Sequence, residues 1–174
     1  MLLFDSGKFP RAYALAQLAL EELDKIRQIG VVEDKLKDGK IVDWKSFFDE
    51  FLSHKKKLKS GFLLTQFMIG RKTLKQEEID ELEGTVEKVN TLKNYSLYST
   101  IRNSVFQKPS DIIGEGIAKS IMKVARIRFG FWEILVKSKP EEREERIKAL
   151  CQQVRSWGSW DFLRAAFRRP VPGQ

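Results

Sequence analysis

The chain has 174 residues and a mass of 20.2 kDa, enough for one domain with a sizeable core. Its 42% hydrophobic and 32% charged residues describe an ordinary soluble globular protein, and no apolar run approaches the roughly 18 residues of a membrane span. A single cysteine, Cys151, and a single histidine, His54, exclude an internal disulfide, a cysteine-based zinc site and the usual transition-metal cluster, so neither metal nor cofactor is expected.

The net charge of +8 is unevenly placed. Residues 1–118 hold 19 Lys+Arg against 18 Asp+Glu, whereas residues 119–174 hold 13 against 6. A basic C-terminal third suits RNA, DNA or an acidic partner protein; the plainer reading is a solvated surface. MLLFDSGKFP has neither the basic start nor the apolar stretch of a signal peptide, so a cytoplasmic location is expected.

The first predicted helix runs from about Pro10, a good first-turn residue, to Ile29, with Gly30 as its stop. At about 100° per residue, Leu18, Ile29, Leu15, Ile26, Ala19, Ala12, Leu23 and Ala16 fill one apolar arc. Glu22 falls inside that arc and Lys25 at its edge, while Glu21 and Asp24 fall on the polar side. A carboxylate turned to a core costs several kcal/mol unless it is paired. Glu22 is therefore expected to be buried and met from another helix, by Lys55 or His54.

A connector with a turn at Asp38-Gly39 leads to Asp43, the predicted N-cap of a second helix from Trp44 to Ile69. Its apolar stripe is Trp44, Phe47, Phe48, Phe51, Leu58, Phe62 and Ile69, with Gly61 as the weak point. A third helix is expected from Lys75 to Leu92. Residues 93–109 read as an extended hairpin or irregular loop, and Pro109 opens a fourth helix reaching Val136. Pro140 opens a fifth ending near Trp157, and a short helix over 160–169 precedes Pro170-Val171-Pro172. The expected fold is an all-α bundle of five or six helices with a short extended loop or hairpin near 94–108. The chain reads as one domain, 1–174, with its core over 9–157 and a basic helix and tail over 158–174.

Neither a phosphate-cradling glycine loop nor a nucleophilic triad is supported by spacing. What remains is Glu22, Lys25, His54, Lys55, Lys57 and the loop around Tyr98. This set is either an internal ion pair that fixes helix register, or a pocket in which cations hold a phosphate backbone and His54 moves a proton.

Three segments together carry a resemblance: AYALAQLALEELDKI at 12–26, HKKKL at 54–58 and LYSTIRNSVFQKPSD at 97–111. In their order and spacing the chain resembles the AbiV family of bacterial abortive-infection proteins, a branch of the HEPN-like all-helical proteins. The resemblance implies a HEPN-like bundle and antiphage defence by shutting down gene expression in infected cells. It also implies kinship with metal-independent ribonucleases that work as dimers. Glu22 and Lys25 match the family's EELGK-like run, with Asp24 in place of the usual Gly. His54 and Lys57 match its His-Lys block, and Tyr98 its loop tyrosine; Thr100 stands where an acidic residue is often found.

The HEPN ribonuclease signature, Arg and then His after four to six residues, is missing. Phe47, Phe48 and Asp49 occupy the required positions before His54, and Gln107 follows Arg102 at the distance where His belongs. Ribonuclease activity would thus use a variant site: His54, Glu22, Lys25 and Tyr98 as the catalytic set, and Lys55, Lys57 and Arg102 on the RNA phosphates. The expected partners are a second copy of the chain, RNA or the translation machinery, and a phage protein as activator, with no membrane. Two rivals stay open. One is a non-enzymatic protein that binds translation machinery or a phage protein; the other is a nucleic-acid binder using basic residues 119–169.

Overall fold

The computed structural model describes residues 2–68, 73, 75–102 and 104–156. Trp157, the helix expected over 160–169, the proline tail and Ile69 lie outside the described residues. The elements are α1 (Leu2–Asp5), α2 (Phe9–Lys37), α3 (Trp44–Leu52), α4 (His54–Met68) and α5 (Gln76–Leu97). They are followed by β1 (Thr100–Arg102), β2 (Val105–Gln107), α6 (Pro109–Ile112), α7 (Glu115–Lys137) and α8 (Pro140–Ser156). This is the all-α, HEPN-like class expected, with a hairpin as its only sheet among the described residues. No helix there is long and apolar enough to cross a membrane.

Helix α2 is the axis of the bundle. It packs most extensively on α7 and also on α4 and α5. It runs seven residues past the stop expected at Gly30. A glycine inside a helix costs only about 1 kcal/mol relative to alanine and does not break it. The actual stop is Asp38-Gly39. Gly39 adopts φ 68°, its N–H donates to Leu36 O at 3.0 Å, and Lys40 N–H donates to Lys35 O at 2.8 Å. This Schellman closure needs the left-handed residue that glycine supplies.

The helix expected over 44–69 is two helices. Asp43 caps α3, accepting from Ser46 N–H at 3.1 Å. The break falls at Ser53, not Gly61: Ser53 is extended (φ −80°, ψ 111°), and its Oγ accepts from Lys56 N–H at 3.3 Å. A serine hydroxyl that caps the next turn competes with continued helix, and here the chain restarts as α4 at His54. Gly61 instead permits close approach. A Cβ there would lie 2.6 Å from Asp24 Oδ2 and closer still to Arg128 Nη1.

Helix α5 continues past Leu92 to Leu97, so the change of character expected at residue 93 comes at Tyr98. In the hairpin, Thr100 pairs with Gln107, Ile101 with Phe106 and Arg102 with Val105. The helix expected from Pro109 onward is interrupted between α6 and α7, where Ile113 and Gly114 are non-helical and Ile112 and Ile113 are buried. The main core joins Tyr13 and Leu20 of α2, Leu58 and Phe62 of α4, Leu82, Val86, Val89 and Leu92 of α5, and Ile121 and Val124 of α7. A smaller cluster links α7 and α8 through Ile127, Phe131 and Val154.

Asp24 and Arg128 lock α2 to α7 over the backbone of α4. Arg128 Nη2 donates to Asp24 Oδ1 at 2.6 Å and Nη1 to Oδ2 at 3.3 Å. Both side chains are almost wholly buried. Removing one partner of such a pair strands a charge, at a cost of about 3–5 kcal/mol. Arg128→Met is expected to lower stability by that amount in urea unfolding. Gly61→Ala is expected to cost about 1–3 kcal/mol by overpacking. In a double-mutant cycle, Gly61→Ala should cost much less in the Arg128→Met background, where the guanidinium it collides with is gone.

Candidate functional site

The inner face of α2 carries Gln17, Glu21, Asp24 and Gln28, all buried, beside Tyr13 and Leu20. The spacing of four, three and four residues makes them one polar stripe down the helix. This reverses the sequence expectation. Glu21 and Asp24, assigned to solvent, are 3% and 0% exposed. Glu22, assigned to the core, has a side chain 64% exposed and bonds only within its own helix, to Lys25 Nζ at 2.7 Å. A helical wheel fixes the angles between residues but not which sector faces the bundle. Here the inner sector is the charged one because cations from α5 and α7 reach it.

Glu21 is held from two sides. Lys93 Nζ, from the buried face of α5, donates to Oε1 at 2.7 Å. His54 Nδ1, in the first turn of α4, lies 2.7 Å from Oε2. A carboxylate accepts, so the imidazole presents its Nδ1–H to Glu21 and keeps Nε2 for a ligand. The His54 ring is 56% exposed while the Glu21 side chain is 4% exposed. A buried carboxylate thus orients a solvent-facing imidazole. The Ser53 break sets this up by starting α4 at His54.

Lys57, one turn further along α4, is 2% exposed; its backbone N–H donates to Ser53 O at 3.1 Å, and its ammonium has no hydrogen-bond partner among the described residues. Burial pushes its ammonium below the ordinary 10.5, and Lys25 and Lys93 push the same way, against Glu21 and Glu22. Lys25 stands on the near edge of α2, its Nζ 5.9 Å from the centre of the Phe51 ring. Three lysines, 25, 57 and 93, therefore act with two carboxylates, 21 and 22, in one partly buried region. The surplus is positive.

Of the residues singled out in the sequence, the structure brings His54, Lys57 and Lys25 into this region, with Glu22 at its outer edge. It does not bring Lys55 there: Lys55 Nζ is 2.7 Å from Glu87 Oε2 on α5, and Lys59 likewise pairs with Glu83. Tyr98 caps the end of α5 five residues beyond Lys93, is 68% exposed, and bonds to none of the cluster. Arg102 belongs to β1, and its side chain lies outside the described residues. Sequence reasoning missed Glu21 and Lys93. The available signal was Lys93 on the same face as Val86 and Val89, a cation where α5 is otherwise apolar, opposite the second stripe of α2.

The other buried carboxylate, Asp24, does different work. Burial raises its pKa above the usual range, opposed by Arg128 and then Arg27. Arg27 Nε lies 3.6 Å from Asp24 Oδ1. Both partners and the wall of Gly61 enclose the pair, so it is closed to ligands. Among the described residues no three His, Cys, Asp or Glu side chains converge as metal ligands.

The arrangement can bind an oxyanion and move a proton beside it. An imidazole fixed by a carboxylate is a competent general base, and the lysines favour added negative charge. No curated protein and no solved structure matches the chain. A family model does: that of AbiV, of the HEPN type, matches residues 1–129 and so takes in α1 to α6, most of α7 and every residue of the cluster. With that match over most of its length, the chain belongs to the AbiV family of HEPN-like abortive-infection proteins.

Proposed function

We propose that this protein carries out its antiphage, abortive-infection role by binding RNA and cleaving it without a metal, as a homodimer. The observation that carries the reading is the Glu21–His54 pair at 2.7 Å, exposed on its imidazole side, with Lys57 one turn further along α4, 2% exposed and without an ammonium hydrogen bond among the described residues. In the reaction, His54 Nε2 removes the proton of a ribose 2′-OH. The freed 2′-oxygen bonds to the adjacent phosphorus while the bond from phosphorus to the 5′-oxygen breaks. The departing oxygen takes a proton from solvent, and the products are a 2′,3′-cyclic phosphate and a 5′-hydroxyl. Lys57 and Lys25 favour the charge added at phosphorus. Glu21 keeps Nδ1 protonated and the ring aimed. Tyr98 lies outside this bonded set; in this reading its exposed ring touches the flanking RNA chain.

A second reading, an interaction protein that binds translation machinery or a phage protein, has one observation in its favour. The hairpin exposes Ile101, Val105 and Phe106 at 73, 58 and 60%. One comparison separates the two. Purified protein is expected to cleave single-stranded RNA in the presence of EDTA, leaving cyclic-phosphate ends. His54→Ala should reduce the rate by about 10²–10⁴-fold with unchanged helicity and melting temperature. Folded His54→Ala that still protects cells from phage at matched expression would remove His54 from catalysis and put the interaction reading first.

Lys57 gives a second test. Between its lowered folded-state pKa and the ordinary 10.5, the unfolded chain holds the proton that the folded chain has lost, so stability rises with pH across that window. Lys57→Met should flatten that rise relative to wild type and raise stability at neutral pH, since the desolvation of a charged ammonium is then removed. The same change should abolish the stabilisation that inorganic phosphate or RNA confers, measured as the rise in melting temperature on ligand addition.

A further inference from the structure

The outer face of α2 is the reverse of its inner one. Leu15, Leu18, Ile26 and Ile29 are 57, 41, 51 and 52% exposed. Apolar side chains scattered singly on a surface need no explanation, whereas a contiguous row does. Here the full row is Arg11, Leu15, Leu18, Glu22, Ile26, Ile29 and Glu33, every member exposed. At about 100° per residue all seven fall within a sector of roughly 80°.

The row is symmetric about Glu22. Leu18 and Ile26 stand four residues to either side of it, Leu15 and Ile29 seven, and Arg11 and Glu33 eleven. The inner pairs are alike in kind, and the outermost pair is opposite in charge. That is the pattern a surface needs to bind its own copy through a two-fold axis, because each residue then meets its mirror position. With the axis at Glu22 and the helices antiparallel, Leu18 packs on the partner's Ile26 and Leu15 on the partner's Ile29. Arg11 meets the partner's Glu33. At the axis two Glu22 carboxylates approach, each neutralised by its own Lys25 at 2.7 Å. The apolar area also extends sideways. Leu2 and Phe129, 89 and 50% exposed, flank a groove of about 480 Å³ floored by Ala12, Ala16 and Ala19. That widening matters because a stable interface takes about 800 Å² from each partner, more than one row of side chains supplies.

We infer that this face is the two-fold interface of the homodimer, α2 against an antiparallel α2 with Glu22 on the axis. The inference rests on the homodimer reading above and assigns its surface and register.

The test uses the full chain and light scattering across micromolar concentrations. Wild type is expected at twice the 20.2 kDa chain mass. Leu18→Glu with Ile26→Glu is expected at the monomer mass with its helicity and melting curve retained, since both sites are exposed. Arg11→Glu alone and Glu33→Arg alone should each weaken the dimer by about two- to tenfold at low salt, and the two together should restore it. Within one chain these residues lie 22 positions apart, roughly 33 Å along the helix, so only a second antiparallel copy can produce the rescue. A monomeric wild type would overturn the homodimer reading itself. A dimer that survives Leu18→Glu with Ile26→Glu would overturn only this surface. Charge reversals that weaken the dimer additively, without rescue, would overturn the antiparallel register.

Discussion

Burying four polar side chains on one face of α2 is the constraint from which the rest of this structure follows. Gln17, Glu21, Asp24 and Gln28 face inward, and two of them carry charge. A buried carboxylate is tolerable only with a cation in bonding geometry, so the neighbouring helices have little freedom of register. Arg128 must stand on α7 where it meets Asp24, and Lys93 on α5 where it meets Glu21. A slide of one turn along either helix would strand two charges at once. Hydrophobic contacts around Tyr13, Leu20, Val89 and Ile121 supply most of the attraction between the helices. The ion pairs choose among the ways those contacts could be made.

The two carboxylates have diverged in what surrounds them. Asp24 is enclosed: Arg128 takes both of its oxygens and Arg27 approaches one of them. The space for this comes from Gly61, which lets the backbone of α4 lie against the pair. A small residue at position 24 would leave Arg128 without its acceptor. Glu21, one turn earlier, gives only one oxygen to a buried cation. Its second oxygen meets His54, which is open to solvent. The same structural device thus closes at one end and opens at the other, and the open end is where chemistry is available.

That opening depends on a local choice of the chain. Had residues 44–68 formed one straight helix, His54 would occupy the middle of it, with its direction set by the aromatic row of α3. The Ser53 break makes His54 the first residue of α4 instead. Lys57 then falls one turn deeper on the same side, and Lys55 turns to Glu87 on α5. Three neighbouring positions in the sequence therefore have three different environments: a solvent-facing ring, a surface ion pair and a buried ammonium.

The sequence by itself determined the helical class, the cap at Asp43, the turn at Asp38-Gly39, the hairpin zone and the family, because each of these is a local pattern of period, cap or motif. It also put His54, Lys57 and Lys25 in the neighbourhood of the site. Tertiary structure alone decided which face of α2 is inside. Periodicity reports that two faces differ and is silent on which one meets the bundle, and the usual rule that apolar faces inward fails when partners 72 and 104 residues away, Lys93 and Arg128, can neutralise a polar one. The exchange of Glu22 for Glu21 follows from that single inversion. So does the exposed row from Leu15 to Ile29, which a wheel drawn for one chain counts as core. The interruption at Gly114 and the continuity through Gly61 were likewise settled by packing. A cap or a glycine shifts the local balance by about 1 kcal/mol, and the energy of placing whole helices against one another is larger.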